Sequence, residues 1–206
     1  MLAVVYQDEH LIVLDKPTGL LAVPGRGPDL QDCLSARAQA SFPTALVVHR
    51  LDRDTSGLLV MALDAATQRA LNRQFQQRTV SKRYVAIIFG SPSAAEGLIE
   101  LPMRKDFEHP PRHRIDTVDG RPAQTAWRVI KRQPDRCRLD IRPTTGRSHQ
   151  IRLHLATVGH PILGDNLYAH PQALAMSERL LLHAAELSLV HPATGRAMTW
   201  QALCPF

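Results

Sequence analysis

The chain has 206 residues, 44% of them hydrophobic, a net charge of +6 and a pI near 9.7. That is enough apolar material for one domain with a real core, which excludes a disordered chain, and no apolar run is long enough to cross a bilayer. MLAVVYQDEH lacks the basic start and long apolar stretch of a secretion signal, and three dispersed cysteines with no CxxC pair argue against a disulfide framework or zinc site, so a cytoplasmic protein is expected.

In chain order, LAVVYQDEHLIVLDKP reads as a hairpin, followed by the turn Lys16-Pro17-Thr18-Gly19, where an exposed lysine is the default. Asp29, after Pro28, suits the cap of a helix running to about Ser41, with Leu30, Cys33, Leu34 and Ala38 on one face. LVVHR is a short strand entering a charged loop, and GLLVMAL is the strand leaving it, apolar enough to be buried on both faces. Asp64 then caps a helix whose Ala66, Ala70 and Phe75 are apolar. VSKRYVAIIFG and GLIELP are strands, and residues 103–122, rich in Pro, His and cations, form an extended loop or loose hairpin. AQTAWRVIKR and CRLDIRP alternate as strands do, with Cys137, Leu139 and Ile141 to one side. SHQIRLHLATVG has helical spacing, Ser148 as a candidate cap and Gly159 as a stop. The chain closes as a hairpin turning at Thr194-Gly195. Strands dominate and helices come at irregular intervals, which gives an α+β class with a mixed, mainly antiparallel sheet flanked by helices.

Charge is distributed unevenly. Residues 104–152 hold thirteen Lys and Arg against six Asp and Glu, and the remainder of the chain holds twelve against thirteen. The whole excess lies in one segment, the pattern of a protein with a polyanionic partner such as nucleic acid.

Two stretches carry chemistry. In VHRLDRDTSGLLVMA, Asp52 lies between Arg50 and Arg53, just ahead of the apolar strand, with Thr55-Ser56-Gly57 able to form a tight turn. A desolvated carboxylate kept ionised by neighbouring arginine is a competent nucleophile or general base; the plainer reading is an ion pair at a strand end. In TTGRSHQIRLH, Arg147, His149 and Arg152 gather near a helix N-terminus, where free N–H groups favour anions; the plainer reading is a capped amphipathic helix with solvated cations. Tyr84 in SKRYVA carries little information alone. GxGxxG, GxxxxGK[ST] and GxSxG are absent, which argues against nucleotide cofactors and serine-hydrolase chemistry.

Taken together, LDKPTGLL, HRLDRDTSGLLV, KRYVA, TTGRSHQIRLHLATVGHPILGD and LLLHA, in that order from Tyr6 to Phe206, resemble the RluA family of pseudouridine synthases. The resemblance implies the catalytic fold of that family, with a central active-site cleft, as a single domain over 1–206 without an S4-type RNA-binding module. It implies an isomerase that turns uridine in structured RNA into pseudouridine, without cofactor or metal. Asp52 falls on the family's catalytic aspartate, Arg152 on the arginine that pairs with it, and Tyr84 on the active-site tyrosine. Leu182 would line the base pocket, Arg50 would fill the space of an everted base, and Arg147 and His149 would contact RNA. Arg53 and Asp54 occupy two variable places and add opposing charges beside the active site. The implied partners are large-subunit rRNA, the anticodon stem-loop of some tRNAs, or both, bound by a monomer. A relative restricted to one tRNA or to another rRNA site is the alternative. Rival readings are a non-catalytic RNA-binding protein and a nucleoside or sugar hydrolase using Asp54 as a second carboxylate.

Overall fold

A computed structural model of the chain describes residues 2–206. Its strands are β1 (Val4–Gln7), β2 (Leu11–Lys16), β3 (Leu46–Val47), β4 (Ser56–Ala62), β5 (Ser81–Phe89), β6 (Glu96–Glu100), β7 (Met103–Lys105), β8 (His113–Ile115), β9 (Gln124–Arg132), β10 (Arg136–Pro143), β11 (Leu182–Val190) and β12 (Ala197–Gln201). Its helices are α1 (Leu34–Ser41), α2 (Ala65–Gln76), α3 (Gln150–Thr157) and α4 (Pro171–Ala175). β4 and β11 pair in parallel, whereas β1–β2, β2–β4, β3–β4, β5–β10, β9–β10, β6–β9, β7–β8 and β11–β12 pair antiparallel. None of the helices is long and apolar enough to cross a membrane.

The chain divides into two compact units, one made of the residues up to Lys82 with His183–Pro205, the other of Arg83–Leu182 with Phe206. In the first, β1, β2 and β4 pair in sequence, and the far edge of β4 is shared by β11 at Ser56–Gly57 and β3 at Met61–Ala62. Every residue of β4 is buried, as the apolar run from Leu58 to Ala62 leads one to expect. Leu58, Val60 and Ala62 meet Leu71 of α2 and Leu187 and Trp200 of the closing hairpin. In the second unit, β5, β10, β9 and β6 follow one another, and Cys137, Leu139 and Ile141 pack with Ile151 and Leu155 of α3. A separate hairpin joins β7 and β8, where the sequence suggests a loose one.

Two helix starts and one inward face differ from the sequence expectation. Asp29 lies in a 3-10 turn, Pro28–Leu30, and α1 begins later, capped by the Cys33 thiol accepting from the Ala36 N–H. The cap of α2 is Asp64 as expected, but its inward face is Thr67 and Leu71, whereas Ala66 is exposed. Thr67 tolerates burial because its hydroxyl and N–H both reach the Asp64 carboxylate, at 2.6 and 2.8 Å. α3 is preceded by His149 in the left-handed region (φ 60°), not by a Ser148 cap, and ends before Gly159 at φ 86°.

Candidate active site

In the first unit, Asp52 and Arg50 lie on the loop between β3 and β4, Arg50 exposed and Asp52 half-buried. The loop closes as a turn, the Thr55 N–H donating to the Asp52 carbonyl at 3.2 Å. The Lys16-Pro17-Thr18-Gly19 turn holds its far half. Lys16 is fully buried, not exposed, and its ammonium donates to the carbonyls of Pro17, Leu20 and Arg53 at 2.9, 2.7 and 2.8 Å. The Thr18 hydroxyl donates to the Asp54 carbonyl at 2.7 Å, and Arg53 Nε returns a bond to the Gly19 carbonyl at 3.1 Å. Two segments some thirty-seven residues apart are thereby locked together just after Asp52. Behind the loop, Gly57 takes φ 110° beside β11, where a Cβ would lie 2.3 Å from the Ala184 carbonyl oxygen. Only glycine fits. Ser56 Oγ is 2.9 Å from His183 Nδ1, tying the same two strands by their side chains.

In the second unit, Arg152 lies on α3 and is 2% exposed, which rules out a solvated cation. Its Nε and Nη2 donate to both oxygens of buried Asp165 at 2.8 and 2.7 Å, a bidentate pair that fixes the guanidinium plane. Nη2 also reaches Asn166 Oδ1 at 3.2 Å, and the guanidinium carbon lies 5.5 Å from the centre of the Tyr168 ring. The Tyr168 hydroxyl accepts from the His113 N–H at 2.8 Å and bonds His149 Nδ1 at 2.9 Å, which joins His149 and Arg152 through one ring.

The Thr-Gly-Arg-Ser turn before α3 is built on Gln150. Its Oε1 accepts from Thr145 Oγ1 and the Arg147 N–H at 2.7 and 3.1 Å, and its Nε2 donates to the Gln124 carbonyl and Thr125 Oγ1 at 2.9 and 3.0 Å. The N–H of Arg147 is therefore committed inward, while its Nε donates to the Pro122 carbonyl at 3.3 Å. Beneath, His154 Nε2 faces the Leu101 carbonyl at 2.9 Å, so that nitrogen carries the proton and Nδ1 accepts from Thr125 Oγ1. Burial holds the His154 pKa below the usual histidine value, consistent with a neutral ring. Tyr84 is half-buried on β5 and packs against the core cluster that contains Leu182, itself 3% exposed.

The basic segment separates into two kinds of cation. Arg104 is paired with Asp116 and Asp119, Arg136 with Asp135, and Arg132 with backbone carbonyls including that of Ala94. Lys105, Arg121, Arg128 and Lys131 are exposed, with no ion pair among the described residues. At the β7–β8 turn, Asp106, Glu108 and His109 bring ligand-type atoms within 4.8 Å of one another. Asp106 there already accepts the N–H groups of Glu108 and His109, the work of a surface turn.

Sequence reasoning passed over Asp165, Tyr168, Gln150 and the burial of Lys16. Gly164-Asp165 lies inside GHPILGDNLY, the stretch where a signal for the arginine's partner was present.

Comparison with known proteins places this geometry. Residues 10–157 match the family model described as RNA pseudouridylate synthase. A dual-specificity RNA pseudouridine synthase RluA of Escherichia coli K12 is 48% identical over all of this chain and 94% of the relative; the protein of that name in Yersinia pestis is 47% identical over 98% and 99%. A solved human structure, RNA pseudouridylate synthase domain containing 1, superposes with a TM-score of 0.84 at 27% identity, covering all of this chain and 84% of that one. The mixed, mainly antiparallel sheet with few helices is thus the pseudouridine synthase fold, and the chain belongs to the RluA family of RNA pseudouridine synthases, which are isomerases.

Proposed function

We propose that the chain isomerises selected uridines in two kinds of structured RNA, large-subunit rRNA and the anticodon stem-loop of tRNA, with Asp52, Tyr84 and Arg152 carrying the reaction. In such an isomerisation the N1–C1′ bond breaks, the uracil turns, a C5–C1′ bond forms, and the C5 proton leaves while N1 gains one. Atoms balance within the nucleoside, so neither a redox partner nor a metal is required. Asp52 acts at the sugar as nucleophile or base. Arg152 holds it ionised, Tyr84 packs on the uracil and assists loss of the C5 proton, and Leu182 walls the base.

A base inside a stem-loop has to leave its stack to react, at a cost of a few kcal/mol. Arg50, exposed and two residues from Asp52, fills the vacated space with a planar guanidinium. Arg147, His149 and the unpaired cations Lys105, Arg121, Arg128 and Lys131 contact phosphates, which set register without reading sequence. The enzyme works as a monomeric single domain in the cytoplasm, where both RNAs are found.

The observation that carries the reading is the Asp52 loop itself: a carboxylate held between a wholly buried strand and a lysine that grips three carbonyls. The dual range is supported by the 48% identity to a dual-specificity enzyme over the full chain. Mapping pseudouridines in rRNA and tRNA from a deletion strain and its complemented parent tests it. Sites lost in both RNAs on deletion, and restored by the wild-type gene but not by Asp52→Asn, are expected. Loss in one RNA class alone removes the dual range.

A further inference from the structure

The edge of β4 that faces away from β2 has an unusual set of partners. β11 pairs with it at Ser56 and Gly57, and β3 pairs with it at Met61 and Ala62. The β3 register, Leu46 opposite Ala62 and Val47 opposite Met61, would continue with Val48 opposite Val60. The strand stops instead. The N–H of Val60 is taken by a side chain, donating to His49 Nε2 at 3.1 Å. The imidazole lies flat on Phe75 of α2, with ring centres 4.5 Å apart and 25° between planes.

We infer that His49 is a positioning residue for the catalytic loop: its Nε2 replaces the backbone acceptor that a longer β3 would supply, so the chain leaves the sheet at Val48 and carries Asp52 out at a fixed angle. This rests on the reading of Asp52 as catalytic. A buried N–H on β4 would otherwise be left unsatisfied, or β3 would extend and draw the loop into the ladder. The imidazole anchors the near side of Asp52, while Lys16 and Thr18 hold the far side through Arg53 and Asp54.

An acceptor at Nε2 requires an unprotonated nitrogen. Burial, with a further contribution from the Lys82 ammonium, pushes the His49 pKa down to about 3, so the acceptor is present throughout the working range. His49 thus acts through geometry and takes no part in proton transfer. An apolar residue of similar bulk cannot supply the acceptor, and asparagine is too short to reach Val60. Glutamine places an amide oxygen near the position of Nε2.

The test is steady-state tritium release from RNA labelled at uracil C5, for wild type, His49→Gln, His49→Leu, His49→Asn and Asp52→Asn, with RNA affinity and Tm measured on each. His49→Gln should keep kcat within about threefold, whereas the leucine and asparagine variants lose about a hundredfold in kcat with KM little changed, the signature of a misplaced reacting group. The pH–rate profile of the glutamine variant should keep its shape. Near-normal kcat in the leucine or asparagine variant, equal losses in all three, or a displaced acid limb in the glutamine variant would each overturn the inference. Should Asp52→Asn retain activity, the reading of Asp52 fails first; should it be inactive while the His49 series stays flat, only this inference fails.

Discussion

Lys16 and His49 both use buried nitrogen to hold backbone, one as a donor to three carbonyls and the other as an acceptor from one N–H. Replacing Lys16 with Met keeps the bulk but leaves those carbonyls without their donor inside the protein, at about 3 kcal/mol in total. A clear fall in Tm is expected for Lys16→Met, and an unchanged Tm would contradict the buried position. For His49 the sign follows from linkage. Its folded pKa, about 3, lies below the ordinary value of 6.5, so the unfolded chain binds the proton first as pH falls. The stability it confers is complete above pH 6.5 and is lost towards pH 3, at up to about 1.4 kcal/mol per pH unit. Denaturant unfolding between those limits should show a shallower pH dependence for His49→Gln than for wild type. Asp165→Asn removes one partner of a buried ion pair and leaves the Arg152 guanidinium under-compensated, so a loss of about 3–5 kcal/mol is expected. None of these roles is readable from residue type: a lysine in a Pro-Gly turn is usually solvated, and only the depth of the turn makes Lys16 structural.

At the scale of elements, β4 organises the first unit. Its apolar run from Leu58 announced it in the sequence, because a strand buried on both faces takes apolar side chains at successive positions. Its pairing was not announced: the close contact of Gly57 with β11 joins segments more than 120 residues apart. Gly57→Ala forces a Cβ to within 2.6 Å of two Ala184 backbone atoms, neither of which can rotate away. A destabilisation of about 3 kcal/mol is expected from thermal or denaturant unfolding, together with lower activity, since the Asp52 loop enters β4 there. The helices were legible where their caps were ordinary, as with Asp64, and misread where they were not. A thiol cap at Cys33 and a left-handed His149 have no strong sequence signal, and α4, opened by His170 and Pro171, is only five residues long.

For the whole molecule, the excess of positive charge gave the partner class before any coordinates, yet could not say which cations are available. The structure divides them, because a guanidinium already paired with carboxylates, as Arg104 is, has little left for a phosphate. Neutralising Lys105 and Arg121 together should reduce the salt dependence of RNA binding by about two counterions, read as the slope of log affinity against log salt. The motif order identified the family and its chemistry, whereas the supporting residues Gln150, Asp165 and Tyr168 emerged only from their contacts. Asp52 is the group on which the proposed chemistry turns. Purified Asp52→Asn, assayed for tritium release from C5-labelled RNA beside a binding measurement on the same RNA, tests it most directly. Native Tm and RNA affinity with no release above background is the predicted result; turnover at the wild-type rate would contradict it.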